Sequence, residues 1–358
     1  MTEAKRRVPR IIAVVSGKGG VGKSLIAANI GVFLATLSKK VVAIDGSFGA
    51  SNLHSLVGVH KPRSVLADVL RKSGRSLEAV LEGTSVPGLE LASGHSDPPW
   101  AANPRPGQVA RLKEQIAGLD ADYVVLDLGS GTGAPCLDLA EAADEVVVVL
   151  TPEPTSIELG YRWMCTALLR RLAASEKGAE VRALIREHFA RPIPAPIDLF
   201  RVAESEAPEV AEVVREAIDG FKPGILVNWA RSKADIDLGL ALTSAVRRRL
   251  GLRVHCLGHL EYDDAVWVSL RHRRPLLIEH PEARVSKCIE KVTRRLMAKP
   301  TAPSFDELAA EPNNYELLEI DAGATEEEIR RSIRRLRAVY APESVVVTGL
   351  YDLSLIHI

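Results

Sequence analysis

Short runs of Val, Ile and Leu alternate with longer mixed stretches through most of the chain. Seven runs predict strands: IIAVVS at 11–16, KVVAID at 40–45, LELAS at 89–93, DYVVLDL at 122–128, EVVVVLT at 145–151, GILVNW at 224–229 and RVHCLGHL at 253–260. Most are apolar at consecutive positions, so both faces need covering, as in a parallel sheet between layers of helices. The stretches between them predict helices, among them 22–38 and 157–174. This alternation predicts an α/β fold over 11–297, a doubly wound, mostly parallel sheet with right-handed crossovers. The longest apolar stretch, Leu25 to Leu37, has 13 residues. Spanning a bilayer takes about 20, so a buried helix is expected there.

Polar and proline-rich segments divide the rest. A tail, 1–10, precedes the first strand. Residues 97–107 (DPPWAANPRPG) predict a loop. Residues 176–221 read as an insertion at the sheet's edge: a helix, a Pro-rich turn (ARPIPAPIDLF) and an acidic-apolar helix. Residues 285–299 predict a closing helix. A Pro-rich linker follows at 298–312 and interrupts any continuous helix. The segment 313–352 predicts a small all-helical module. In it, Thr325 is the expected N-cap and Glu328 its capping-box partner. Ile329, Ile333, Leu336 and Tyr340 form one apolar stripe. The last six residues, 353–358 (LSLIHI), resemble a translated sequencing-transposon end. They are expected to lie outside the natural chain.

Composition narrows the function classes. The 358 residues carry 46 Lys+Arg and 46 Asp+Glu, a net charge of zero. At about 150 residues per domain, two domains are expected. Neutrality gives no overall attraction to nucleic acid, and aromatics at 4% leave few platforms for stacking bases. The four cysteines, at 136, 165, 256 and 288, include no C-x-x-C pair and read as thiols in a reducing compartment. His255 and His259 form the one H-x-x-x-H spacing, and they fall in a run that predicts a strand and not a helix, so no transition-metal site is expected. No apolar core precedes Ile11, so no signal peptide and a cytoplasmic location are expected. Trp100, Trp163, Trp229 and Trp267 read as packing or interface residues. Ser16 and Ser130 have no histidine partner, so a hydrolase triad is not expected.

The densest chemistry follows the first strand: Ser16-Gly17-Lys18-Gly19-Gly20-Val21-Gly22-Lys23-Ser24, then an apolar helix. Strand, Gly-rich loop and helix together form a phosphate cradle of turned-in backbone N–H groups at a helix N-terminus. In such a loop Lys23 meets the β- and γ-phosphates and the Ser24 hydroxyl ligates Mg2+.

Lys18, placed straight after the first glycine, makes the loop resemble the deviant Walker A motif of the MinD/ParA (SIMIBI) ATPases. The resemblance implies ATP and Mg2+ as cofactors and a homodimer across ATP, with Lys18 reaching the partner's nucleotide. It implies an ATP site of Gly17, Lys18, Gly19, Gly20, Val21, Gly22, Lys23 and Ser24, with Asn228 at the adenine base. It implies catalytic roles for Lys18, Lys23, Asp45 and Asp127, and Mg2+ held by Ser24, Asp45 and Asp127. GSGTGAP (129–135) matches the family's switch-like loop. TPEPTSI (151–157), LGHLEYD (257–263) and RRPLLIEHPEA (273–283) are similar to segments of the FlhG/FleN flagellar-number regulators. The likeness covers 11–297.

Four departures qualify it. Relatives carry D-x-D after the second strand, and the second Asp positions the attacking water; here the triplet is Asp45-Gly46-Ser47. Serine is a poor base, and a positioned base contributes about 10²–10⁴-fold. Slow ATP hydrolysis is therefore expected, unless another carboxylate such as Asp138 substitutes. The short activating helix that begins FlhG-type proteins is expected to be absent. Residues 285–299 read as the closing helix and not as the amphipathic membrane-targeting helix that ends MinD and FlhG. The 176–221 region is longer than in MinD. Residues 313–343 resemble a degenerate J-domain: Tyr315, Leu317, Leu318, Ala324, Glu328, Ile329 and Tyr340 match. Ala341-Pro342-Glu343 replaces the His-Pro-Asp that chaperone stimulation requires. A docking module is expected, with Arg330, Arg331, Arg334, Arg335 and Arg337 as a solvated basic face.

The expected function is an ATP-dependent spatial switch that recruits protein partners in a flagellar or division system. A nucleotide-binding scaffold without useful hydrolysis is the alternative, and a ParA-like DNA-segregation ATPase a third. Contact with the inner membrane face stays open; DNA is not an expected partner. Iron–sulfur carriage needs paired cysteines that the chain lacks, and tyrosine kinases of this superfamily need a Tyr-rich tail.

Overall fold

The first strand, β1 (Arg10–Ser16), is buried along nearly its whole length, as an apolar run covered on both faces must be. The computed structural model describes residues 7–71, 74–190, 193–298 and 324–339. The expectations for 1–6, most of the linker 298–312, the module beyond its one helix (Tyr315, Leu317, Leu318, Tyr340 and Ala341-Pro342-Glu343 included) and 353–358 lie outside these residues. The chain divides into two compact units, Met1–Val149 with His259–Pro300, and Leu150–Gly258 with Thr301–Ile358.

The described residues contain eight strands, and the six of the first unit run in the order β3-β4-β2-β5-β1-β6. Here β2 is Val41–Gly46, β3 Glu82–Gly83, β4 Leu89–Ala92, β5 Tyr123–Ser130 and β6 Glu145–Leu150, whose last residue opens the second unit. All pairings in this order are parallel except β3–β4. The two-residue edge strand β3 was not predicted; two residues carry no period to read. β5 runs two residues past the expected end, where its register with β1 slips between Val14 and Ser16.

The helices of this unit are α1 (Lys23–Thr36), α2 (Leu53–Leu56), α3 (Ala67–Leu70), α4 (Pro106–Ala117), α5 (Ala134–Glu141), and α11 (Ala265–His272), α12 (Leu276–Glu279) and α13 (Arg284–Met297). α1 is apolar all round and buried accordingly, lying on β1, β2 and β5 and meeting α12 and α13 on its other side. Asn29 on α1 is fully buried. Its Nδ2 donates to the Leu25 carbonyl (2.8 Å) and its Oδ1 accepts from the Leu277 N–H (3.1 Å), tying α1 to α12. Arg10 joins β1 to Glu145 at 2.6 Å and to the Met297 carbonyl at 3.1 Å, anchoring the end of α13. The segment expected as a loop at 97–107 holds a 3-10 turn, Pro99–Ala102, and the start of α4, with Pro106 at the first helical position.

The second unit contains α6 (Pro154–Ala174), α7 (Gly178–His188), α8 (Pro196–Glu206), α9 (Pro208–Asp219), β7 (Gly224–Ala230), α10 (Lys233–Leu250) and the start of β8 (His255–Glu261). The Pro-rich turn expected at 190–200 is shorter than foreseen. Pro196 sits in the first turn of α8, where its missing N–H costs nothing, so IDLF is helical. β8 starts at His255 and not Arg253, because Arg253 turns away to Asp219, whose carbonyl it meets at 3.0 Å. A last helix, α14 (Glu326–Val339), packs on α10. Its expected capping box is present: Thr325 N–H donates to Glu328 (2.8 Å) and Glu328 N–H to Thr325 Oγ1 (3.4 Å). Trp163 is fully buried, while Trp100, Trp229 and Trp267 are exposed. No helix among the described residues is long and apolar enough to cross a membrane.

Candidate functional site

Parallel strands expose their C-terminal ends to one crevice, and the loops leaving β1, β2 and β5 meet there. The loop between β1 and α1 turns on two glycines with positive φ, Gly20 (+79°) and Gly22 (+93°). L side chains rarely adopt these angles. Gly22 caps α1, and its carbonyl accepts the Ile26 N–H at 3.1 Å, so the helix starts at Lys23 with its first amides directed into the loop.

Lys23 is buried. Its ammonium donates to Ser16 Oγ (3.0 Å), and that hydroxyl donates in turn to the Lys18 carbonyl (2.6 Å). The Ser16 carbonyl accepts the Gly131 N–H at 2.9 Å, which fixes the loop after β5 against the first. Burial lowers the Lys23 pKa, opposed by the negative charge of Asp127. Lys18 and Ser24 are half-buried, and Gly19 and Gly20 are exposed. Ser16 was missed as a site residue in the sequence, which offered no pattern for a serine that braces a lysine seven positions on.

Asp45 and Asp127 are register partners on β2 and β5, and both are fully buried. Asp45 is held by its own loop: Leu53 N–H donates to it at 3.0 Å and Ser47 N–H at 3.4 Å. Neither oxygen of Asp127 has a hydrogen-bond partner. Burial first, then the Asp127 charge, pushes the Asp45 carboxyl up to about 8. Burial also raises Asp127, against the pull of the nearby Ser24 hydroxyl and Lys23 ammonium.

Gly46 makes the carboxylate pairing fit. A Cβ there would lie 2.8 Å from Leu128 Cδ2 and 3.3 Å from the Asp127 carbonyl, so any side chain presses on Leu128 and on the β5 backbone. The following loop is equally tight: a Cβ on Gly49 would meet the Ala102 methyl at 2.9 Å, and Ser51 Oγ donates to the Ser47 carbonyl at 3.3 Å. Ser47 is half-buried in this loop.

The donor set fits a hard divalent cation. Two buried carboxylates raised by burial, beside a hydroxyl at a helix N-terminus, are oxygen ligands of the kind Mg2+ takes. The glycine-turned amides and Lys23 fit a polyphosphate. Of the sequence-predicted residues, Gly17–Ser24, Asp45 and Asp127 converge within the first unit. Asn228 lies in the second unit, buried, with Oδ1 accepting the Trp229 N–H at 2.9 Å.

Residues 7–166 match a family model described as ParA, NUBPL iron-transfer P-loop NTPase. The chain is 25% identical to the antiactivator FleN of Pseudomonas aeruginosa over 294 residues, 81% of this chain and 87% of FleN. It is 32% identical to the flagellum site-determining protein YlxH of Helicobacter pylori over 166 residues, 42% of this chain and 51% of YlxH. Its fold is that of the septum site-determining protein MinD of Pyrococcus horikoshii, solved with Mg-ADP. The TM-score is 0.58 at 21% identity, covering 81% of this chain and 98% of that one. The chain thus spans most of FleN and about half of YlxH. Residues 7–166 thus match a ParA-type P-loop NTPase model, and the chain shares the MinD fold.

Proposed function

We propose that this ParA/MinD-family chain is an ATP-binding switch that dimerises around nucleotide and recruits protein partners in cellular positioning, at a flagellar or division site. The observation that carries the reading is the buried Asp45–Asp127 pair set beside the glycine loop and Lys23. Amides of Gly19 to Ser24 bind the phosphates, and Lys23 neutralises their charge. Ser24 and Asp127 hold the metal, with Asp45 beside them. Mg2+ supplies charge neutralisation at the β- and γ-phosphates. Lys18 acts on the partner's nucleotide across the dimer, so ATP favours the dimer through the contact that only the dimer offers.

Ser47 favours a second reading of the same site, a long-lived nucleotide scaffold. Its hydroxyl cannot take a proton as a carboxylate does, so chemistry is slow and the ATP state persists. The positioning role draws support from the site-determining names of the relatives and from coverage of most of FleN. Titration calorimetry with ATP and Mg2+ tests the binding step. Wild type binds one ATP per chain, and Lys23→Ala loses affinity by at least about tenfold, the cost of one charge-assisted contact of 1.5–3 kcal/mol. Equal affinity in the two proteins would reject this site.

A further inference from the structure

A second group of metal-binding side chains lies in the first unit, away from the nucleotide site. It joins β8 to α13. His259 and Glu261 are two apart on a strand and share one face. Cys288 comes from α13, whose Arg284 also reaches Glu261. The imidazole nitrogen, carboxylate oxygen and thiol sulfur all lie within 4.8 Å of one another, and all three residues are half-buried. Arg284, one helical turn before Cys288, reaches Glu261 Oε2 at 3.2 Å and orients the carboxylate.

We propose that His259, Glu261 and Cys288 form a binding site for a borderline divalent transition-metal ion of the Zn2+ class. The donor set is the reason. One nitrogen, one oxygen and one sulfur are the ligands that Zn2+ combines, whereas Mg2+ takes oxygen and leaves thiols alone. Bond lengths of about 2.0–2.2 Å to N and O and 2.3 Å to S place tetrahedral donors on the order of 3.5 Å apart. The three groups therefore need to close by about 1 Å, which χ rotations of half-buried Cys and Glu side chains supply.

Three protein ligands leave a fourth position, and the partly exposed setting opens it to water. Without an ion the thiol stays protonated at neutral pH, since burial raises the Cys288 pKa. A bound cation deprotonates a coordinating thiol outright, so binding releases a proton. The ion also clips β8 to α13 across the segment that contains α11 and α12. His259 and Glu261 lie two apart on a strand and Cys288 far along the chain on a helix, a pattern that matches no ligand spacing.

The test uses the full chain, stripped with EDTA and free of nucleotide. Co2+ is titrated and the near-ultraviolet thiolate-to-Co2+ charge-transfer band is followed; Zn2+ affinity is then read by competition with a chromophoric chelator. The site predicts one equivalent of Co2+ with the band, displaced by one equivalent of Zn2+. Cys288→Ser removes the band, and Cys288→Ser and His259→Gln each weaken Zn2+ at least about tenfold, the loss that even outer-shell changes cause. Cys256→Ser, outside the group, leaves both unchanged. Protection of Cys288 from iodoacetamide by one equivalent of Zn2+, read by peptide mass spectrometry on wild type, needs no variant to fold. Absence of the band at one equivalent, its survival in Cys288→Ser, or unprotected alkylation of Cys288 in Zn2+ would overturn the proposal.

Discussion

Asp45 is a carboxylate that the fold keeps at a cost, and Asp45→Asn exposes that cost. Its pKa rises from 3.8 to about 8 because it is buried beside Asp127. Between those values the native protein holds a proton that the unfolded chain has lost. The native state then binds more protons, so stability falls as pH rises through this window. At about 1.4 kcal/mol per pH unit the whole window amounts to roughly 6 kcal/mol above pH 8. Asn has no proton to lose. It keeps one oxygen for the Leu53 N–H, 3.0 Å away in wild type, and gives up the Ser47 contact, about 1 kcal/mol. The net gain in metal-free protein is on the order of 5 kcal/mol at pH 8.5 and under about 1 kcal/mol at pH 5. A change of 1 kcal/mol moves the Tm of a 150–250-residue domain by about 2–4 °C, so the gain is about 10 °C or more. The assay is thermal melting in EDTA at the two pH values, repeated with Mg2+ and ATP. Wild type gains about 2.7 kcal/mol from ligand at a hundred times Kd, and Asp45→Asn gains much less. A variant no more stable than wild type at pH 8.5, or one that follows the wild-type pH slope, would refute the reasoning.

Other consequences follow from the same geometry. Gly46→Ala sets a Cβ against Leu128 and the Asp127 carbonyl and is expected to cost about 1–3 kcal/mol in urea melts while weakening ATP binding. Asn29→Ala strands the buried Leu277 N–H and lowers stability by about 1–3 kcal/mol, with α12 gaining amide hydrogen exchange. His54 is buried against His95, with ring centroids 4.1 Å apart, and burial followed by the His95, Arg273 and His60 charges lowers its pKa to about 4. It is neutral in the native state, so its stabilisation is present above pH 6.5 and is lost as pH falls towards 4. His54→Gln flattens that acid limb in pH-resolved melts.

Much of the first unit was legible in the chain. Doubly apolar runs such as IIAVVS and DYVVLDL read as strands covered on both faces, and the glycine loop was recognisable between strand and helix. Asp45 and Asp127 were recognisable because each ends a strand, and parallel neighbours bring strand ends together. What stayed hidden depends on contacts between distant residues. Ser16 braces Lys23 through a hydrogen bond that leaves no spacing rule. Gly46 read as one more glycine, although a side chain there would press on Leu128 and the β5 backbone. The helical character of IDLF was masked by a proline cluster whose last member starts the helix. Edge strand β3 exists only because β4 is beside it.

The central claim, an ATP-driven switch slowed at Ser47, is tested most directly by measuring ATP turnover and ATP-dependent dimerisation together, for wild type and Ser47→Asp. The account predicts that both proteins dimerise with ATP and Mg2+ and that Lys18→Ala does not. It further predicts that restoring the carboxylate raises turnover by about 10²-fold or more. Equal turnover in wild type and Ser47→Asp, or dimerisation indifferent to ATP, would contradict it.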